Sequence, residues 1–431
     1  MKDGLTEHLA AFASGPLAPS ETVRQVVRLS ALDWLAVGRA GADEPVSRIV
    51  RDMVLAEAGT GQARLFGSAT AVPARAAALV NGTTSHALDY DDTHFAHIGH
   101  PSVAVFPAAL AVAQMQNAPL ADMLQAALVG IELSIRVGLW LGRDHYQIGY
   151  HQTATAGAFG AAAAAGRLRG LDAAGMEQVM GVTATRAAGL KAQFGTMGKP
   201  YNAGMAAATG IEAALLVDRG FSGNPLALQG GQGFGATHHG ENRVSTALDG
   251  LGDLWLTETI SHKFHACCHG LHAALEAAHE LDVAAPDIAS MTVRTHPRWM
   301  SVCNQPAPTT GLGAKFSYAT VLAMRVAGHD TARLDSYADA ICADPRVIEL
   351  RRRITVVADD ALSETGAVLT LVRRDGKRHE AAHDLQAALP LADRTDRVRR
   401  KAAVLIGAER AARAWTLLQK DESAAEFAAL L

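Results

Sequence analysis

Along roughly the first 258 residues, apolar side chains recur every three to four positions, a period that predicts one helix after another. Ser20 can cap the run ETVRQVVRLSALDWLAVG, in which Val23, Val26, Val27, Leu29 and Leu32 fall near one face. Similar spacing predicts helices over about 45–58, 73–86, 119–140, 152–168, 173–189 and 203–219, with Asp172 capping the one that starts at 173. Several carry a stripe of small residues. Gly157, Ala161 and Ala165 lie at four-residue steps, as do Gly204 and Ala208, and such stripes let helix backbones approach inside a bundle.

The pattern changes after about residue 285. Ser290–His296 (SMTVRTH) alternates and is β-branched, Arg353–Val357 (RITVV) is similar, and Ala367–Val372 (AVLTLV) runs into Arg374–Lys377, an Asp-Gly hairpin turn. Strands mixed with helices predict a smaller α+β domain. From about 391 the chain returns to helix, in DRTDRVRRKAAVLIG and AERAARAWTLLQK, and this tail is expected to dock back on the helical body. The expected division is 1–258 with 391–431 for the helical domain and 259–390 for the α+β domain.

A chain of 431 residues exceeds what one core usually holds, in keeping with two domains. The composition, 49% hydrophobic and 19% charged, excludes a disordered chain. A net charge of −4 gives no general reason to bind nucleic acid or an anionic membrane, so an anionic substrate needs a local cluster of cations. No apolar stretch of 18 residues is free of charge, and no transmembrane helix is expected. The N-terminal MKDGLTEHLAAFASG has acids where a signal peptide has a basic region. Cys267, Cys268, Cys303 and Cys342 form no CxxC pattern, which suggests a reducing, cytoplasmic setting.

Four polar segments interrupt this apolar chain. The densest, NGTTSHALDYDDTHFAHIGHP at Asn81–Pro101, sets His86, His94, His97 and His100 among Asp89, Asp91, Asp92 and Thr93. Imidazole is the side chain best suited to moving protons near neutral pH. His94, His97 and His100 are spaced three apart, unlike the HExxH zinc signature, so no metal is assigned. In GYHQTAT, His151 stands just before an Ala-rich helix. In GTMGKPYN, Pro200 favours an extended Lys199 ahead of the next helix, where its ammonium and the open N–H groups of the helix start would form a carboxylate-binding corner. The fourth segment is SHKFHACCHGLH at Ser261–His272. No GxGxxG, P-loop or nucleophile elbow is present, so phosphate cofactors are not indicated.

Together, NGTTSHALDYDDT…GHPS, GYHQTATAGAFGAAAAAGRLRGL, FGTMGKPYNAGMAAATGIEAALL, KFHACCHGLHAALEA and AKFSYATVLAMRVAG resemble the MmgE/PrpD family, in the family's order and over most of the chain. The resemblance implies a mainly α fold, a large all-helical domain plus a smaller α+β lid, assembled as a homodimer with no organic cofactor. It implies a lyase that dehydrates or decarboxylates a citrate- or aconitate-like acid by abstracting a proton from the carbon next to a carboxylate. An epimerase of a dicarboxylate such as iminodisuccinate is the alternative, and a metal-dependent hydrolase using the His-rich loop is a further one. By the same resemblance, His100 and His151 transfer protons and Lys199 binds and polarises a substrate carboxylate. Asp89 and Thr93, from the LD-x-DDT pattern, orient these groups or hydrogen-bond the substrate. Cys268, His272 and Tyr201 contact the substrate. Many members have Leu-His after Lys-Pro where this chain has Tyr201 and Asn202, and many have Arg where this chain has Met205. GHPSVAV is closer to the decarboxylase and epimerase branches.

Overall fold

The computed structural model describes residues 4–57, 59–281, 288–420 and 422–431. Residues 1–3, the last residue of the helix predicted over 45–58, and the change of pattern near 285 lie outside the described residues. The chain divides into two compact units, Met1–His262 with Thr395–Leu431, and Lys263–Arg394.

The first unit is built from α1 (Leu5–Ser14), α2 (Glu21–Ala40), α3 (Pro45–Glu57), α4 (Ala74–His86), α5 (Ser102–Met115), α6 (Leu120–Ile148), α7 (Gln152–Leu168), α8 (Ala173–Arg186) and α9 (Gly198–Asp218). The predicted caps are in place. Ser20 accepts a hydrogen bond from the Val23 N–H at 3.2 Å, and Asp172 accepts one from the Gly175 N–H at 2.8 Å. Helix α7 is the centre of the unit, buried at every position from Gln152 to Gly166. Its small residues allow this. A side-chain carbon on Gly160 would lie 2.4 Å from the Gly130 carbonyl oxygen of α6, and one on Gly130 would lie 2.6 Å from that of Gly160. Helices α4 and α9 meet in the same way at Gly82 and Gly204, where a carbon on Gly204 would lie 2.2 Å from the Leu79 carbonyl.

Three elements differ from the sequence reading. The body is not purely helical, since β1 (Ala63–Leu65) and β2 (Ser68–Val72) form an antiparallel hairpin. Such short strands leave little periodic signal; side-chain bonds fix the hairpin instead, with Asn81 bridging the Phe66 N–H and the Arg64 carbonyl at 2.9 Å each. Helix α6 runs past 140, but Gly142 at φ +73° breaks its path, close to the predicted end. Helix α9 starts at Gly198, five residues before the predicted start, because a proline in the first turn costs only an N–H that has no partner in the helix.

Helix α6 is also long and apolar enough to cross a membrane by length and composition, but 83% of its apolar window is buried inside the fold. Glu132 and Arg136, one turn apart within it, pair at 2.8 Å and are fully buried. Arg136 donates to the carbonyls of Ala247, Asp249 and Leu254, and Glu132 accepts from the N–H groups of Leu256 and Thr257. One ion pair thus pins the segment that follows α9 to the core helix.

The returning tail contributes a second buried charge. Lys401, on the helix Leu391–Ile406, pairs with Asp33 of α2 at 2.6 Å and donates to the Tyr90 carbonyl at 2.6 Å. Its ammonium also sits 4.0 Å from the centre of the Tyr90 ring.

In the second unit, β3 (Ile288–Thr295), β4 (Ile354–Ala358), β5 (Gly366–Arg373) and β6 (Arg378–Asp384) form a sheet in the order β4-β3-β5-β6. Strands β3 and β4 are parallel and the other pairs antiparallel. The β5–β6 turn is the predicted Asp-Gly hairpin, with Gly376 at φ +85°.

Substituting Gly204→Ala should push α4 and α9 apart and destabilise the protein by about 1–3 kcal/mol, the usual cost of overpacking. Gly231, where an added carbon meets nothing within 4 Å, is the control and should tolerate alanine. Thermal unfolding of both variants checks this, and equal melting points would contradict it.

Stability should also fall on acidification. Burial holds the imidazoles of His94 and His145 down to about 4 and, with repulsion from His94, that of His97 to about 3. In the unfolded chain they take up protons near ~6.5, so the unfolded state binds more protons and stability is lost as pH falls from there towards 4. Asp92 opposes this. Burial and the charge of Asp33 push its carboxyl up to about 7, a contribution that is full below the unfolded value of ~3.9 and lost as pH rises through 7. Three imidazoles outweigh one carboxyl, so the melting point at pH 5 should lie below that at pH 7, and His145→Gln should shrink the difference. A melting point that rises on acidification would contradict the assignment.

Candidate active site

The loop between α4 and α5 sets the site. It leaves α4 at His86, turns at Asp89, which adopts φ +51°, and returns to α5 through His100. Asp and Asn tolerate this left-handed backbone better than most residues. Gly99 lets the loop lie against the start of α7, since an added carbon there would fall 2.8 Å from the Thr153 nitrogen. The His100 N–H donates to Thr153 Oγ1 at 3.1 Å. Lys401 holds the loop from behind through the carbonyl of Tyr90, the residue between Asp89 and Asp91.

Asp91 is the buried centre. Its Oδ2 accepts from His100 Nδ1 at 2.7 Å and its Oδ1 from His86 Nδ1 at 3.0 Å. Burial alone would raise its carboxyl, but the imidazoles of His100 and His86 overcome that and hold it well below the usual carboxylate range. His100 lies between two carboxylates, because its Nε2 faces Asp89 Oδ1 at 3.5 Å. The other oxygen of Asp89 pairs with Lys199 Nζ at 2.8 Å.

His151 is the N-cap residue of α7. Its N–H donates to the Gly189 carbonyl at 3.0 Å, which ties it to the segment that carries Phe194. The Phe194 ring stands edge-on to His151 at 4.9 Å and 5.4 Å from the Lys199 ammonium. Asn202 Nδ2 donates to His151 Nδ1 at 3.3 Å and to the Leu190 carbonyl at 3.4 Å. A carbonyl can only accept, so the amide nitrogen faces His151 and leaves the imidazole proton on Nε2. Burial, with the charges of His86 and Lys199, holds His151 well below the ordinary histidine range, and it is neutral.

The structure brings Asp89, His100, His151 and Lys199 together. Lys199 is not extended as expected but sits in the first turn of α9. The N–H corner expected beside it is also closed, because Thr196 accepts from Gly198 N at 3.0 Å and from Lys199 N at 3.3 Å. Thr93 lies in the same loop, where its backbone bridges Ser261 at 2.8 and 2.9 Å. Tyr201 packs against an apolar cluster that includes Val80, Ala207 and Ile211. Cys268 and His272 belong to the second unit. There, His272 is buried against His265 and His269, and Cys268 Sγ lies 3.1 Å from Cys303 Sγ.

Sequence reasoning placed Asp91 and His86 in the right segment without giving either a role, and it treated Asn202 only as a departure from the family. His86 sits three residues before Asp89 at the end of a helix, and that adjacency was the available signal. His94 and His97 turn away from the cluster, His94 to Thr259 at 2.9 Å and His97 to Ser134 at 3.1 Å. Of the groups that could hold a cation, His86, Asp89, Asp91 and His100 offer ligand atoms within 4.8 Å of one another. Their oxygens are already engaged by two imidazoles and an ammonium, and an ion there would have to displace Lys199.

The chain matches the MmgE/PrpD N-terminal domain over residues 7–247 and the MmgE/PrpD C-terminal domain over residues 265–406. It is 27% identical over 406 residues to cis-aconitate decarboxylase of Aspergillus terreus, covering 86% of this chain and 82% of that protein. It is 32% identical over 288 residues to the cis-aconitate decarboxylase-like protein oryM of Aspergillus oryzae, covering 62% of this chain and 59% of that protein. Against cis-aconitate decarboxylase of Homo sapiens it is 31% identical over 245 residues, covering 55% and 50% of the two chains. With both domains matched in order along its length, this chain belongs to the MmgE/PrpD family.

Proposed function

We propose that this protein decarboxylates a small unsaturated tricarboxylate of the cis-aconitate kind, using its own side chains and no metal or organic cofactor. The chain is a lyase, as the names of its relatives indicate. Decarboxylating such an acid breaks one carbon–carbon bond, whose electron pair becomes a new double bond. The pair of the old double bond then takes a proton at carbon. The site must therefore supply one proton and at least one cation for a carboxylate that stays.

The observation that carries this reading is His100, placed between Asp91 at 2.7 Å and Asp89 at 3.5 Å. Two flanking anions favour the doubly protonated ring, so His100 is a standing acid whose Nε2 proton faces away from buried Asp91. Lys199 meets a substrate carboxylate as that group competes with Asp89 for the ammonium. Neutral His151, with its proton on Nε2, donates a hydrogen bond to the substrate and does not serve as the acid. Decarboxylase relatives favour carbon dioxide as the leaving group over hydroxide. A homodimer, implied by the family resemblance, is part of the proposal, and a monomeric mass in solution would remove it.

The test is incubation with cis-aconitate in deuterated water, followed by proton NMR. Carbon dioxide should appear with a dicarboxylate that carries one deuterium on carbon, and chelators should leave the rate unchanged. His100→Gln should cut turnover by roughly 10²–10⁴-fold, the size of one acid–base contribution. Lys199→Met should lower kcat/KM by roughly 10²–10³-fold with little change in melting point, the scale of losing one charge-stabilising donor. Hydration of cis-aconitate to a hydroxy tricarboxylate without carbon dioxide would overturn the decarboxylase reading, and full activity in either variant would remove its role.

A further inference from the structure

We propose that Asp91 is a positioning residue that fixes which nitrogen of His100 gives up its proton, and that buried His86 is the second arm holding Asp91 in place. The proposal rests on His100 as the proton donor and deepens that reading.

Asp91 is 1% exposed, and each of its oxygens meets the Nδ1 of a different imidazole. An ionised carboxylate only accepts hydrogen bonds, so both Nδ1 atoms must carry protons. His100 therefore retains its Nδ1 proton whatever happens at Nε2, and the proton it can lose is the one on Nε2. His86 has the complementary property. It is 1% exposed, and its Nε2 has no hydrogen-bond partner among the described residues, so Asp91 is its one polar anchor there. Through Nδ1 it is a fixed donor to Asp91. Its ring stands edge-on to that of His100 at 4.6 Å, which further limits how His100 can rotate.

The charged and titratable groups that act on this pair come from several elements, His97 at longer range because its ring is turned to Ser134. Asp89, Asp92 and His97 lie in the same loop, His151 stands at the start of α7, and Lys199 lies on α9. Asp89 also favours the charged ring, but at 3.5 Å against 2.7 Å, and it is shared with Lys199. Asp91 is thus the dominant anion on His100.

Two measurements test this on the full-length protein. The first is long-range proton–nitrogen NMR of protein labelled at histidine nitrogen, with His100 assigned by loss of its signals in His100→Gln. In the unsubstituted protein, the His100 Nδ1 proton should persist on both sides of neutrality. In Asp91→Asn, a mixture with the Nε2–H tautomer should appear. The second is the pH profile with cis-aconitate. Removing the anion disfavours the imidazolium, so the alkaline limb of kcat/KM should move to lower pH by roughly one unit or more. kcat should fall by roughly 10²–10⁴-fold, the scale seen when a carboxylate that orients a catalytic imidazole becomes an amide. An Asp91→Asn protein with an unchanged tautomer and an unchanged limb, differing only in melting point, would overturn the proposal and leave Asp91 structural. Should Asp91→Asn fail to fold, His86→Gln decides: a smaller shift of the limb in the same direction supports the pairing, and an unmoved limb refutes it. If cis-aconitate is not turned over, the decarboxylase reading fails, while the tautomer measurement still decides this inference.

Discussion

A carboxylate kept ionised away from water needs compensation from close range, and the site is organised around that need at Asp91. The two imidazoles that compensate it come from opposite ends of one loop, His86 from the end of α4 and His100 from just before α5. Satisfying Asp91 therefore fixes the separation and rotation of two helix ends. It also leaves Asp89, two residues earlier, on the side of Lys199. Lys401 closes the arrangement from the other side. A buried ammonium with Asp33 and the Tyr90 carbonyl as partners ties the tail of the chain to the backbone between the two acids. Removing one member of such a network leaves another buried and uncompensated, so these polar groups behave as a set.

The same logic separates side chains that are chemically identical. His100 and His151 both face the cluster, yet one lies between two anions and the other has an amide nitrogen on Nδ1 and cations around it. In the proposed reaction, these surroundings suit His100 to act as a charged acid and His151 as a neutral donor. Divergent environments for like groups are how a single pocket assigns acid and hydrogen-bonding roles.

Much of the helical body was legible because local chemistry matched the outcome. Ser20 and Asp172 cap helices where their side chains predict it, and the Asp-Gly turn falls where the alternating pattern stops. Asp89, His100, His151 and Lys199 could be picked out because each stands in a short polar run beside an apolar helix. What escaped depends on contacts distant in sequence. The β1–β2 hairpin is held by Asn81, not by its own periodicity. The environment of Lys199 was misread because Pro200 is compatible with either an extended approach or a first turn, and Thr196 decides for the turn. The partnership of Asp91 with His86 depends on the left-handed turn at Asp89, which no spacing rule announces. Asn202 touches His151 across 51 positions of sequence, a separation that local pattern cannot bridge.

The crossing of α6 and α7 at Gly130 and Gly160 has a consequence for how this protein can change over time. Each glycine faces the other's carbonyl, so enlarging either one demands that both backbones separate. Gly160 lies nine residues along α7 from His151, about 14 Å at 1.5 Å per residue. A rigid helix forced aside at the crossing tilts at its end, so the crossing acts as a lever arm on the imidazole. Substitutions at two positions remote from any reacting atom would thereby alter the geometry of catalysis, and a lineage that retains the chemistry has few routes to larger residues there.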